Sequence, residues 1–175
     1  MIRIPLRRPS LRDPQYHALR GLARIAAREA SQRPLDALQD VAVLARELTD
    51  ARYAALAVVD GHDNIEGFVA SGLTVEQERK LKSAPLGHGL LGGMRKDGLA
   101  VRIDDLEAHN ASFGFPPKHP EMKTLLGRPI WVAGVLRGAL YVTDRSGGQP
   151  FRDEDDETLA ILAGHAGRII AGRRY

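Results

Sequence analysis

Six histidines, four tyrosines and no cysteine bound the chemistry open to this chain of 175 residues. Without cysteine there can be no disulfide, no thiolate nucleophile and no cysteine-ligated zinc or iron–sulfur cluster. The histidines stand at positions 17, 62, 88, 109, 119 and 165. None falls at an H-x-H, H-x₃-H or H-E-x-x-H spacing, so no local zinc site is predicted. His119 differs from the others in its setting, F-G-F-P-P-K-H-P-E-M over residues 113–122. Pro116, Pro117 and Pro120 hold φ near extended values, and Pro120 also biases His119 away from helical angles. A histidine fixed in a stiff loop beside Phe113, Phe115 and Met122 suits a ligand to something flat and apolar. It equally suits a loop histidine satisfied by backbone groups. The second candidate is Tyr141, on an alternating strand of residues 136–144. There Arg137, Ala139, Tyr141 and Thr143 face one way, and Leu136, Gly138, Leu140 and Val142 the other. A buried phenol needs a hydrogen-bond partner, which a ligand or water would supply.

Phe68, Leu90, Leu91, Phe113, Phe115 and Met122 are the apolar side chains expected to wall a pocket around these two, or else to be ordinary core. His88 lies between two glycines near the expected pocket mouth. The surrounding G-H-G-L-L-G (87–92) lacks the lysine and Ser/Thr of a phosphate loop. His109 is read as a loop support, and His62 and His165 as surface residues. The acidic run Asp153–Glu157 reads as a solvated helix start. No Ser-His-Asp or paired-carboxylate constellation is legible, so an enzyme is not expected.

The wording D-D-x-x-x-H-x-A-S-x-G-F-P-P-x-H-P-x-M-x-x-x-L-G from Asp104, followed by L-Y-x-T-D-x-x-x-G-Q-P-F-x-D-x-D from Leu140, resembles GAF domains of bacterial sensor kinases. It is most similar to the haem-binding first GAF domain of DosS/DosT-type gas- and redox-sensing histidine kinases. The resemblance runs from about Leu35 to Arg174. It implies an α+β fold: a central antiparallel sheet with N- and C-terminal helices on one face and a ligand pocket on the other. It also implies haem b as cofactor, His119 as the proximal iron ligand and Tyr141 on the distal side. One axial histidine and an apolar pocket are enough to hold haem. The implied function is a sensor of a diatomic gas (oxygen, nitric oxide or carbon monoxide) or of redox state. The alternative is a haem-free GAF module that binds another small ligand or a protein. Lys118 and Glu121 depart from the family pattern and place charge beside the histidine. GAF domains that reduce free methionine sulfoxide, or attach a bilin, do so through cysteines that this chain lacks.

The elements that must position these residues follow from periodicity and punctuation. Residues 1–34 are expected to form a basic arm and a first helix, and residues 35–175 the GAF domain. Asp13-Pro14 opens the first helix, which runs to about Ala30 with Leu19, Leu22, Ile25 and Ala26 as its apolar stripe. A second helix spans about 35–49, with Leu38, Val41, Ala42, Ala45 and Leu48 on one face. Residues 52–60 and 65–70 form a hairpin across a Gly-His-Asp-Asn turn. Thr74 and Gln77 make a capping box for a helix to about Ser83. A strand at 99–103 follows. Residues 125–133 and 136–144 form a second hairpin about Gly134. The last helix spans about 153–172, with Leu159, Leu162, Ala163, Ala166, Ile169 and Ile170 as its stripe, acids at its start and arginines at its end.

Seven of the chain's arginines lie in residues 1–30 against Asp13 and Glu29, so the basic charge is concentrated there. This reads as a solvated arm and helix face, and no nucleic-acid module is visible. No run approaches the ~20 apolar residues of a membrane span, and no secretory signal is legible, so a cytoplasmic place is expected. With no output motif in the sequence, the signal is expected to pass by contact to an unidentified signalling protein. The terminal helices are the expected surface for that contact and for a homodimer.

Overall fold

The computed structural model describes residues 14–29, 33–62, 64–77, 99–106 and 122–172. In chain order these hold helices α1 (Pro14–Glu29) and α2 (Pro34–Leu48), then strands β1 (Ala51–Val59), β2 (Ile65–Ser71), β3 (Val101–Ile103), β4 (Leu125–Val132) and β5 (Val135–Arg145), and finally helix α3 (Asp153–Ala171). The strands form one antiparallel sheet in the order β2-β1-β5-β4-β3. The expected α+β architecture and both hairpins are present.

The sheet sorts its side chains by the two-residue period of a strand. Ala54, Leu56 and Val58 on β1, Val69 on β2, Leu126 and Ile130 on β4, and Leu140 and Val142 on β5 face the three helices. Against them pack Leu38, Val41, Ala42 and Ala45 of α2 and Leu159, Leu162, Ala163, Ala166, Ile169 and Ile170 of α3. Each fully buried leucine or isoleucine contributes roughly 1.5–3 kcal/mol from the water it leaves. The opposite face carries a second, separate apolar cluster, from Ala55, Ala57 and Phe68 across to Ile103 and Leu125.

One close approach and one turn depend on glycine. A Cβ on Gly167 would meet the Trp131 carbonyl oxygen at 2.7 Å, so α3 lies directly against the β4 backbone there. The β4–β5 turn needs positive φ at both central residues, as a two-residue hairpin loop of the favoured twist requires. Ala133 takes φ 49° and Gly134 φ 78°.

Three sequence expectations are corrected. The inward stripe of α1 is Ala18, Leu22 and Ile25, whereas Leu19 is 59% exposed and Ala26 is exposed. The reason is proximity to α2: a Cβ on Gly21 would lie 2.5 Å from Leu44, so the contact face takes small residues and turns Leu19 outward. His165 is buried, at 6% exposure, rather than on the surface. The acidic start of α3 is not uniformly solvated either. Asp155 is buried, and Asp156 is partly buried and receives a fork of two hydrogen bonds from Arg128.

Candidate ligand-binding face

The sheet register places the candidate residues in three rows across the face turned away from the helices. One row reads Ala70, Ala55, Tyr141, Gly127 and Val101. The next reads Phe68, Ala57, Ala139 and Pro129. The third reads Tyr53, Thr143, Leu125 and Ile103. Side chains in one row stand about 5 Å apart, and successive rows about 7 Å. Ala55, Ala57, Ala70 and Ala139 therefore make a floor of single methyl groups at the centre of the face, with Phe68 at one side and Tyr141 rising from the middle. Tyr141 has small neighbours on both flanks, Ala55 and Gly127.

Described residues outside β1, β2, β4 and β5 also sit on this face. Leu73, Val101 and Met122 pack against the cluster, and Leu106 is fully buried within it. Leu106 and Lys123 close the base of the 107–121 segment, where the Leu106 N–H donates to the Lys123 carbonyl at 2.7 Å. Asp144, at the end of β5 with φ 55°, fixes the same point. Its Oδ1 accepts from the Lys123 N–H at 2.6 Å and more weakly from that of Thr124 at 3.4 Å. The strand that presents Tyr141 thus also anchors the chain that returns from His119.

Two polar groups interrupt the apolar surface. Burial pushes the Tyr141 phenol well above the ordinary tyrosine range, with no hydrogen bond contributing to the shift. The Thr143 side chain is 2% exposed, and its Oγ1 has no hydrogen-bond partner among the described residues. No described side chain in the three rows is charged.

Of the residues singled out in the sequence, the structure brings together Tyr141, Phe68 and Met122 on one face. Leu90, Leu91, Phe113, Phe115 and His119 lie outside the described residues, as do His88 and His109. Sequence reading missed the alanine floor and Thr143. The signal for the floor was there: Ala55, Ala57 and Ala139 recur at period two on strands whose alternate positions are Leu and Val. Thr143 was placed on the Tyr141 face but given no role, since a lone threonine in a strand carries no sign of an unpaired hydroxyl. A separate open cleft of about 480 Å³ lies at the strand ends, lined by Asp50, Arg52, Lys123, Asp144, Arg145 and the 146–148 turn. Asp144 and Arg145 there already have partners within the fold.

A five-stranded antiparallel sheet with helices on one face and a second apolar cluster on the other is the architecture of a small-ligand or regulatory module. A GAF domain family model matches residues 31–171, and the chain belongs to that family. Solved structures share the fold at low identity. The GAF domain of a phosphoenolpyruvate-protein phosphotransferase from Coxiella burnetii is 22% identical, with a TM-score of 0.73 over 90% of this chain and 94% of that one. The GAF domain/HD domain protein from Geobacter sulfurreducens is 18% identical, with a TM-score of 0.65 over 86% and 96%. The free methionine-R-sulfoxide reductase from Neisseria meningitidis, solved with its substrate, is 18% identical, with a TM-score of 0.64 over 94% and 93%.

Proposed function

We propose that this chain is a sensory GAF domain whose sheet face turned away from the helices takes a flat, mainly apolar ligand, and that haem b is that ligand. The observation that carries the reading is the alanine floor around Tyr141. Four methyl groups leave room for a flat ring system that larger side chains would fill, and Phe68 offers it an apolar wall. Met122, three residues along the chain from His119, packs against the same face. In this reading His119 supplies the axial nitrogen, as the F-P-P-K-H-P-E-M wording suggests. Haem, when bound, supplies an iron that takes diatomic gases or changes oxidation state. The protein's part is to hold the histidine, exclude water with Phe68 and Met122, and keep a neutral phenol on Tyr141. A tyrosine phenol is neutral at physiological pH and burial only raises the Tyr141 pKa further, so it is available as a hydrogen-bond donor.

The domain acts as a regulator rather than an enzyme in this reading, in the cytoplasm, and passes its signal to another protein through its terminal helices as a homodimer. Among the described residues no helix is long and apolar enough to cross a membrane. A haem-free module for another small molecule is the second reading. It is favoured by the two hydroxyls, Tyr141 and Thr143, which would suit a neutral polar edge on an organic ligand.

The test is hemin titration of the purified chain, followed by absorption spectroscopy. The wild type is expected to take up one equivalent and develop an intense Soret band, and His119→Ala to lose it or retain it weakly. A wild type that ignores hemin refutes the haem assignment and leaves the second reading.

A further inference from the structure

We infer that Thr143 is a ligand-contacting, specificity-determining residue, whose hydroxyl is reserved for a hydrogen bond to the polar edge of the molecule bound on the sheet face. The inference rests on the reading of that face as a ligand site, but not on haem being the ligand. The position of Thr143 follows from the register. It pairs with Tyr53 on β1 and Leu125 on β4, and it stands two residues from Tyr141 on the same face of β5. Leu125 belongs to the cluster on that face. The intervening Val142 belongs to the core under the helices, so no bulge reverses the assignment.

The chemistry follows from burial. A threonine hydroxyl normally either reaches water or bonds to the backbone nearby. Other buried threonines of this chain do the latter. Thr49 Oγ1 donates to the Ala45 carbonyl at 2.7 Å, and Thr158 Oγ1 to that of Glu154 at 2.8 Å. Thr124 Oγ1 accepts from the Arg145 N–H at 3.4 Å. Thr143 departs from this pattern: it is 2% exposed, within the 1–3% range of the other three, yet its hydroxyl lacks a partner among the described residues. Buried hydroxyls without partners are unfavourable and uncommon in folded proteins. An isosteric valine would serve the sheet better if the fold were all that mattered.

The face is therefore divided in character. Ala57, Phe68 and Ala139 form an apolar end, while Thr143 and Tyr141 bring two hydroxyls to the other. With no charged side chain described in the rows, the matching ligand has a flat apolar body and one edge that hydrogen-bonds through oxygen or nitrogen. Thr143 can donate to that edge or accept from it, which allows it to read a carbonyl, a carboxylate or an N–H.

The experiment compares wild type, Thr143→Val and Thr143→Ser in two measurements: hemin affinity by absorbance titration, and thermal melting without any ligand. A hydrogen bond of ordinary net strength corresponds to about a two- to tenfold change in affinity. Thr143→Val is expected to bind hemin weaker by that factor while melting at or above the wild-type temperature; Thr143→Ser is expected to stay near wild type in both. If wild type and Thr143→Val bind hemin equally well, the role assigned to Thr143 is overturned and the haem reading stands. If wild type takes up no hemin, the haem reading fails and the ligand-free melts decide. A more stable Thr143→Val then supports a hydroxyl kept for another ligand, and a less stable one shows a structural hydroxyl and overturns the inference.

Discussion

Replacing Asp155 by alanine should loosen β5, the strand that carries Tyr141, from its helical support. Asp155 sits in the first turn of α3 and is 3% exposed. Its Oδ2 accepts from the Arg152 N–H at 2.8 Å, closing the helix N-terminus, and lies 3.3 Å from Arg145 Nε at the end of β5. Arg152 Nε is also near, at 3.5 Å. The 2.8 Å bond is charge-assisted and contributes roughly 1.5–3 kcal/mol. The Arg145 contact is close in distance but does not align as a hydrogen bond, so its direct contribution is smaller. Its loss matters more for what it leaves behind, a largely enclosed guanidinium without a counter-charge. Breaking a buried pair in this one-sided way costs about 3–5 kcal/mol. At about 2–4 °C per kcal/mol for a chain of this size, Asp155→Ala should melt roughly 6–20 °C below wild type. Asp155→Asn keeps an oxygen for the Arg152 N–H but leaves Arg145 without its counter-charge all the same, so most of that drop is expected to remain. Differential scanning calorimetry on the three proteins measures it. An Asp155→Ala protein melting within about 2 °C of wild type would show that neither the cap nor the ion contact holds β5 to α3.

The remaining predictions concern the phenol and the outer helix. The folded-state pKa of Tyr141 is raised above the ordinary value of 10.0. Below that value both folded and unfolded chains keep the proton, and stability does not depend on this group. As pH climbs past it, only the unfolded chain ionises, so stability falls, by about 1.4 kcal/mol at pH 11. Tyr141→Phe should lose that component, and chemical denaturation at pH 9 and 11 checks it; an unchanged difference between the two pH values would show that the phenol ionises freely in the fold. Leu19, 59% exposed on α1, would be a contact of the proposed dimer through terminal helices. Leu19→Lys should shift the light-scattering mass toward the monomer with melting little altered, whereas a wild type already monomeric at that concentration would remove α1 from any self-association.

Much of the architecture was legible because its signals are local. The apolar run of β1, the two-residue alternation along β5, the turn chemistry of Gly134 and the stripe of α3 each depend on neighbours a few positions away, so local pattern finds them. The Thr74–Gln77 capping box formed as read, with the Gln77 side chain accepting from the Thr74 N–H at 2.8 Å and the Thr74 hydroxyl from the Gln77 N–H at 3.3 Å. The absence of cysteine excluded whole classes of chemistry from composition alone. Tyr141, Phe68 and Met122 were nominated from residue type and resemblance, and the fold gathers all three on one face.

Tertiary structure decided what depends on distant partners. Which side of α1 turns inward was set by how closely Gly21 lets it approach Leu44, a distance no hydrophobic period encodes. Asp155 looked like one of five interchangeable acids in the run 153–157, and is buried where β5 brings Arg145 to it. The alanine floor exists only because β1, β2 and β5 register Ala55, Ala57, Ala70 and Ala139 side by side. Thr143 became a candidate for the same reason: its sequence specifies a hydroxyl, but only the packed sheet determines that nothing described reaches it.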